Sequence, residues 1–268
     1  MKMVAAAKLR RAQEAAEASR PYTETLQGTL ARLAGLSEDV EHPLLAKRTE
    51  VTKVGYIVVT ADRGLCGGYN TNIIRAATDS IGSDDRKPAT GIIAVGRKGR
   101  DFFRKRGGLE AEFINLGDKI SYSDAREISQ YIINAYENEE FDEIYIVYAR
   151  FINALRQAPT VTKILPIEPP EASGDEKINV EYIYEPSAEE ILVNLLPRYI
   201  GSQIYHAMLE GKASEHGARM TAMGNASENA GEIIDNLTLK MNKVRQAAIT
   251  DEILDIVGGA EALKKGGK

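Results

Sequence analysis

A single cysteine, no tryptophan and only three histidines set the first bounds on this 268-residue chain. One thiol, Cys66, cannot build a disulfide framework, and it excludes a cysteine-based zinc site. His42, His206 and His216 are too far apart to give a metal-binding spacing. No apolar run approaches the ~18 residues that a membrane-spanning helix needs, and no secretory-signal core is recognisable, so the chain reads as neither spanning nor exported. Acids exceed bases, giving a formal charge of −5, which argues against a nucleic-acid partner. What is present in ordinary amount is apolar content, 43%, enough for a sizeable core.

The charge is unevenly spread. Residues 1 to 11 hold Lys2, Lys8, Arg10 and Arg11 with no acid, whereas residues 134 to 190 hold 13 acids against four bases. Lys240, Lys243 and Arg245 again sit in an acid-free stretch. Such patches suit an acidic protein partner or a solvated helix face.

The two ends carry helical periodicity. Met220, Met223, Ser227, Ala230, Ile234, Leu237, Met241, Val244 and Ala248 alternate steps of three and four, the mark of a heptad seam. A helix of roughly 60 to 70 residues from Pro186 would be about 90 to 105 Å long, beyond what a small domain can cover. Leu9, Ala12, Ala16, Ser19, Thr23, Leu26, Leu30 and Leu33 repeat the alternation near the N-terminus. The two ends therefore predict an antiparallel coiled coil, with Leu237 in its seam. Pro21 and Pro197 predict kinks, Ser187 with Glu190 a capping box, and the uncapped start at Met1 an upstream segment.

Between the ends lies a different grammar. Val54–Thr60 (VGYIVVT) is a β-branched run of the buried-strand kind, followed by the glycine-rich Ala61–Asn70 and a helix. Strand, glycine turn and helix can cradle a phosphate, but no Gly-Lys-Ser/Thr follows and no GxGxxG is present, so tight packing is the better use of these glycines. Cys66 has no nearby histidine and reads as a buried thiol. Further strands are predicted at 91–96, 109–115, 143–151, 160–168 and 178–185, with helices at 97–106, clamped by Phe102 and Phe103, and at 123–138, capped by Ser123. Residues 52–185 thus predict a Rossmann-like α/β domain with a mainly parallel sheet, inserted between coiled-coil helices at 1–41 and 186–268 and placed at one end of the rod.

Several stretches carry a family resemblance: MKMVAAAKLRRAQ at 1–13, TADRGLCGGYN at 60–70, ILPI at 164–167, YIYEP at 182–186, EHGARMTAM at 215–223 and NKVRQAAITDEILDIVGGAEAL at 242–263. Through them almost the whole chain resembles the γ subunits of F-type ATP synthases. The resemblance implies a central-stalk rotor, one copy inside a ring of three α and three β subunits, coupling transmembrane proton flow to ATP synthesis or hydrolysis. It implies no catalysis and no cofactor on this chain, Mg-ATP and ADP being held by the partner subunits. It implies that Met1 and Lys2 slide past an acidic loop of β, and that Arg219, Arg245, Gln246 and Thr250 hydrogen-bond to β loops. Tyr182, Tyr184 and Glu185 would face the ε subunit and the ring of c subunits. The absence of a second cysteine beside the central domain matches bacterial members, which work as peripheral subunits on the cytoplasmic side of the plasma membrane. An additional basic segment ahead of Met1 is also implied.

Two other classes share parts of this pattern. A Rossmann-like enzyme with a helical arm would bind a nucleotide at residues 60–70. A structural coiled-coil protein would homodimerise through the same seam.

Overall fold

The computed structural model describes residues 1–36, 42–168 and 187–265. They fall into two compact units, Met1–Ala222 and Met223–Lys268. The first contains α1 (Lys2–Leu36), β1 (Lys53–Val59), α2 (Tyr69–Gly82), β2 (Ala89–Val95), α3 (Arg97–Arg104), β3 (Leu109–Phe113), α4 (Tyr122–Glu137), β4 (Glu143–Phe151) and β5 (Gln157–Leu165). The helix α5 (Ala188–Lys265) supplies the first unit up to Ala222, and its remaining residues are the second.

The sheet has the order β3-β2-β1-β4-β5. The first four strands are mutually parallel, and β5 pairs antiparallel to β4. The β-branched run at 53–59 forms β1 because its residues are buried on both faces of the central strand. Ile57 and Val59 face one layer with Ile93, Val95, Ile144 and Ile146, packed on α4, α1 and α5. Tyr56 and Val58 face the other, against Tyr69, Ile73 and Ala77 of α2 and Phe103 of α3. This is the predicted α/β domain with helices on both faces. Burying each such aliphatic side chain contributes roughly 1.5–3 kcal/mol.

The antiparallel helix pair is also present, but in a different register from the predicted seam. On α1 the predicted positions Leu9, Ala12, Thr23, Leu26, Leu30 and Leu33 are buried, and so is Ala5, which lies ahead of the predicted seam. Their partners on α5 are Leu192, Leu196, Ile200 and Ala213, with a buried 3.2 Å hydrogen bond between the Thr23 and Ser202 hydroxyls. Met220 packs beside Leu9 and Ala213. In the second unit Ile234, Leu237, Met241 and Val244 are each 60–62% exposed. Periodicity shows that a helix face is apolar, not which surface covers it, and here α1 covers the stretch up to Met220.

Both helices run on through Pro21 and Pro197. Each proline is exposed, so its ring points away from the pair, and the neighbouring buried residues Thr23, Leu26, Leu196 and Ile200 offset the ~3 kcal/mol penalty of an internal proline. The Ser187 hydroxyl accepts from the Glu190 N–H at 3.1 Å, as expected of a cap. The cap of α4 is Ser121 rather than Ser123: its side chain and that of Asp124 satisfy each other's backbone N–H groups. The strand expected at 178–185 lies outside the described residues.

Candidate functional site

In a doubly wound sheet the crevice opens where successive crossovers diverge, beyond the C-terminal ends of the strands on either side. Here that point lies between β1 and β4. Its walls are the glycine-rich segment 60–68 after β1 and the turn 152–156 after β4. The crevice is filled by this chain's own helix α5.

The seating is specific. Tyr69 Oη donates to the Gly211 carbonyl at 2.9 Å, and Ser214 Oγ donates to the Ala149 carbonyl at 2.9 Å, both buried. Thr221 Oγ1 donates to the Ala154 carbonyl at 3.2 Å. The helix passes close to the turn at Gly217, where a Cβ would just reach contact distance, 3.4 Å, from the Ala154 backbone and the Phe151 ring. Arg219 completes the grip, donating from Nη2 to the carbonyls of Gly64 at 3.2 Å and Arg63 at 3.3 Å. Burial and the nearby Glu215 carboxylate push the Tyr69 phenol well above its ordinary pKa, so it remains a donor.

The loop is shaped by its own contacts. The Ala61 N–H donates to Asn70 Oδ1 at 2.9 Å, and Asp62 Oδ1 accepts the Arg97 N–H at 3.0 Å, at the start of α3. Gly96 has φ +95, and a Cβ there would lie 2.2 Å from the Thr60 carbonyl oxygen, so no side chain fits. That close approach is at Gly96, after β2; in the glycine-rich segment itself a Cβ at Gly64 or Gly67 would meet no atom nearer than 3.8 Å, and Gly67 instead takes φ +56, so the tight packing expected of these glycines is not what Gly64 and Gly67 provide. A nucleotide-binding enzyme would need this crevice, which α5 holds. Cys66 is buried, and burial pushes its thiol up from the ordinary value, away from nucleophilic use. Among the described residues no His, Cys, Asp and Glu cluster could hold a metal ion.

A charged ladder runs along the buried face of α5. Glu215 accepts from Lys212 at 3.1 Å and from Arg219 at 2.8 Å, with its own side chain only 6% exposed. Arg219 Nη1 also lies 3.3 Å from His216 Nδ1. A guanidinium can only donate, so Nδ1 accepts and the imidazole proton sits on Nε2. That buried Nε2 has no hydrogen-bond partner and faces Asp118 Oδ1 at 3.9 Å. Asp118 in turn accepts from Lys8 Nζ of α1 at 2.6 Å, which holds its carboxyl below the ordinary range.

Burial holds the His216 imidazole below its ordinary pKa, with Lys212 and Arg219 acting in the same sense and Glu215 and Asp118 opposing. An unfolded histidine gains a proton below about pH 6.5 that the folded one refuses. Stability should therefore fall as pH drops through that value and level off below the folded pKa. His42, lowered by burial too, adds to the same slope. The depressed carboxylates Asp84, Asp118, Asp142 and Glu143 lose their contribution only in a lower window, near and below about pH 4. Thermal melts from pH 8 to 5 should show a shallower slope for His216→Gln than for the parent; an identical slope would refute the assignment.

The residues singled out from sequence are scattered among these features. Met1 is 76% exposed, Lys2 is exposed beside it, and Met3 and Val4 extend the exposed apolar surface. Arg245, Gln246 and Thr250 are exposed on the second unit, where Thr250 Oγ1 donates to the Gln246 carbonyl at 2.9 Å. Arg245 has no ion-pair partner among the described residues. Arg219 differs from them: it is drawn into the crevice, its side chain only 15% exposed. Tyr182, Tyr184 and Glu185 lie outside the described residues. Sequence reasoning missed Tyr69, Ser214, Glu215 and His216. The available signal was Lys212, Glu215 and Arg219 at helical spacing on one face, beside the small residues Gly211, Ser214 and Gly217.

The family model described as ATP synthase matches residues 1–263. The ATP synthase gamma chain of Desulfitobacterium hafniense is 56% identical over 266 residues, spanning 98% of this chain and 92% of that relative. The ATP synthase gamma chain of Pelotomaculum thermopropionicum is 53% identical over 265 residues with the same coverage. Among solved structures, a chain of the Tetrahymena thermophila mitochondrial ATP synthase central stalk and c-ring matches with a TM-score of 0.66 at 23% identity, covering 85% of this chain and 97% of that one. A chain of the Euglena gracilis mitochondrial ATP synthase matches with a TM-score of 0.62 at 20% identity, covering 100% and 96%. The two structural matches speak to the fold.

Proposed function

The chain belongs to the ATP synthase gamma chain family, and from that premise we propose how it works as the central-stalk rotor of an F-type ATP synthase. The chain is not itself catalytic; catalysis lies in the β subunits. The observation that carries the rotor reading, beside the identity to bacterial gamma chains, is the second unit: a helical segment with exposed apolar side chains from Ile233 to Val257. An exposed apolar stripe of that extent calls for a surrounding protein surface.

One copy turns inside a ring of three α and three β subunits. Its contacts favour one β conformation over another, and rotation changes which β is favoured, a population shift driven by differential binding. Arg245, Gln246 and Thr250 bond to β loops, Arg245 offering a bidentate grip on a carboxylate. Met1 and Lys2 slide past an acidic β loop, one as an adaptable apolar surface and the other by attraction. Arg219 acts through the glycine-rich loop whose carbonyls it holds, which makes it a positioning residue for β contacts. Tyr182, Tyr184 and Glu185 face ε and the c-ring, so that transmembrane proton flow is coupled to nucleotide chemistry in β, where Mg-ATP and ADP are bound. No helix among the described residues is long and apolar enough to cross a membrane, in keeping with a peripheral subunit. We place it on the cytoplasmic side of a bacterial plasma membrane, as the gamma chains it resembles are bacterial.

Reconstitution tests this reading. Adding the chain to separately prepared α and β should give an assembly with one copy per three α and three β, and MgATP hydrolysis that depends on it. A chain that sediments apart as a homodimer would refute it. In the assembled complex, Arg245→Ala and Gln246→Ala should each slow hydrolysis while leaving the melting of the free chain unchanged, because both side chains are solvent-exposed there. Full hydrolysis and full coupling in both variants would remove them from the contact set.

A further inference from the structure

A cavity of about 450 Å³ lies between α1, the segment joining β3 to α4, and α5, within the first unit. Its lining includes the apolar or aromatic residues Ala12, Ala15, Ile120, Leu209 and Tyr205. The lining also includes four cations, Lys8 and Arg11 from α1, Lys119 from the connecting segment and Lys212 from α5, against a single acid, Asp118. Pockets of this size hold small organic molecules, and a lining that combines several cations with apolar side chains suits an anionic head on an apolar body.

The charge accounting favours an anion. Lys212 is compensated by Glu215 at 3.1 Å and Lys8 by Asp118 at 2.6 Å. Arg11 and Lys119 have no ion-pair partner among the described residues. Asp118 also has an alternative: the buried, unpartnered His216 Nε2 lies 3.9 Å from its Oδ1. An anion arriving at Lys8 can therefore displace Asp118 towards a waiting N–H donor, so neither the carboxylate nor the imidazole is left unpaired.

We propose that this cavity binds a small organic phosphate with a planar apolar body. Its phosphate sits among Lys8, Arg11 and Lys119, its ring lies on Ala15, Leu209 and Tyr205, and Asp118 turns to His216. Such a ligand bridges α1 to α5 and stiffens the helix pair at its junction with the sheet. The site is independent of the rotor assignment.

The test uses the full chain with phenyl phosphate as the probe, and inorganic phosphate and phenol as comparators. Calorimetry should give saturable one-to-one binding of phenyl phosphate, at least about tenfold tighter than either comparator, a difference of ~1.4 kcal/mol. The ¹⁵N resonance of His216 Nε2 should shift on titration. The double variant Arg11→Ala, Lys119→Ala changes exposed side chains and should weaken binding about tenfold or more without altering the melt of the free chain. Ala15→Phe, which enlarges an apolar lining residue, should weaken phenyl phosphate far more than inorganic phosphate. No saturable binding, equal affinity in the parent and the double variant, or inorganic phosphate binding as tightly as phenyl phosphate would each overturn the proposal.

Discussion

Replacing Arg219 by alanine is expected to destabilise the first unit by about 3 kcal/mol, the low end of what removing one partner of a buried ion pair entails. The reason lies in what stays behind. Glu215, 6% exposed, would keep only Lys212, and the carbonyls of Arg63 and Gly64 would lose their donors. Lysine should rescue little, since one ammonium cannot reach Glu215 and two loop carbonyls with the fork geometry of a guanidinium. Glu215→Gln combined with Arg219→Ala should fall short of the sum of the single effects, the sign of direct coupling. Urea denaturation of the parent, the three single variants and the double variant checks this. In the rotor complex the same substitution should also impair coupling through the freed loop, whereas Arg245→Ala should impair it with stability unchanged to within ~0.5 kcal/mol. A stable but uncoupled Arg219→Ala protein would return Arg219 to the direct β contacts.

Deleting Met223–Lys268 should have the opposite division of effects. The three core clusters use residues no later than Met220, so the truncated chain should melt as the first unit does in the parent. The complex rebuilt from it should hydrolyse MgATP about tenfold more slowly or worse, ~1.4 kcal/mol of lost transition-state stabilisation, and should lose proton-driven synthesis. Parental hydrolysis and synthesis would show that the exposed apolar helix is not what the ring reads.

The sequence showed β1 and β4 clearly because central parallel strands are apolar on both faces, and VGYIVVT and EIYIVYARF have no other comfortable state. It showed the seam of α1 for a similar reason: every predicted position there is buried or half-buried. The α5 seam failed because two successive stretches of one helix carry compatible periodicity, and three-dimensional pairing selects between them. The cap of α4 was misplaced by two residues because Ser121 and Ser123 are equivalent in type; only Asp124 three residues after Ser121 closes the reciprocal pair. The resemblance places Arg219 with Arg245 among the β contacts, and nothing in its helical spacing tells the two apart. The burial of Arg219 depends on the Arg63 and Gly64 carbonyls, distant in sequence, and on a topology that folds the chain's own helix into the crevice. The same topology explains why a glycine-rich turn with the outline of a phosphate loop holds a helix instead.

Rotation of the chain inside the ring can be watched directly. With the β subunits fixed to a surface and a probe attached through Lys105→Cys, an exposed position on a Cys66→Ala background, MgATP should drive the probe in one direction, in thirds of a turn set by the threefold ring. Hydrolysis at the parental rate with the probe standing still would show that the chain is not a rotor.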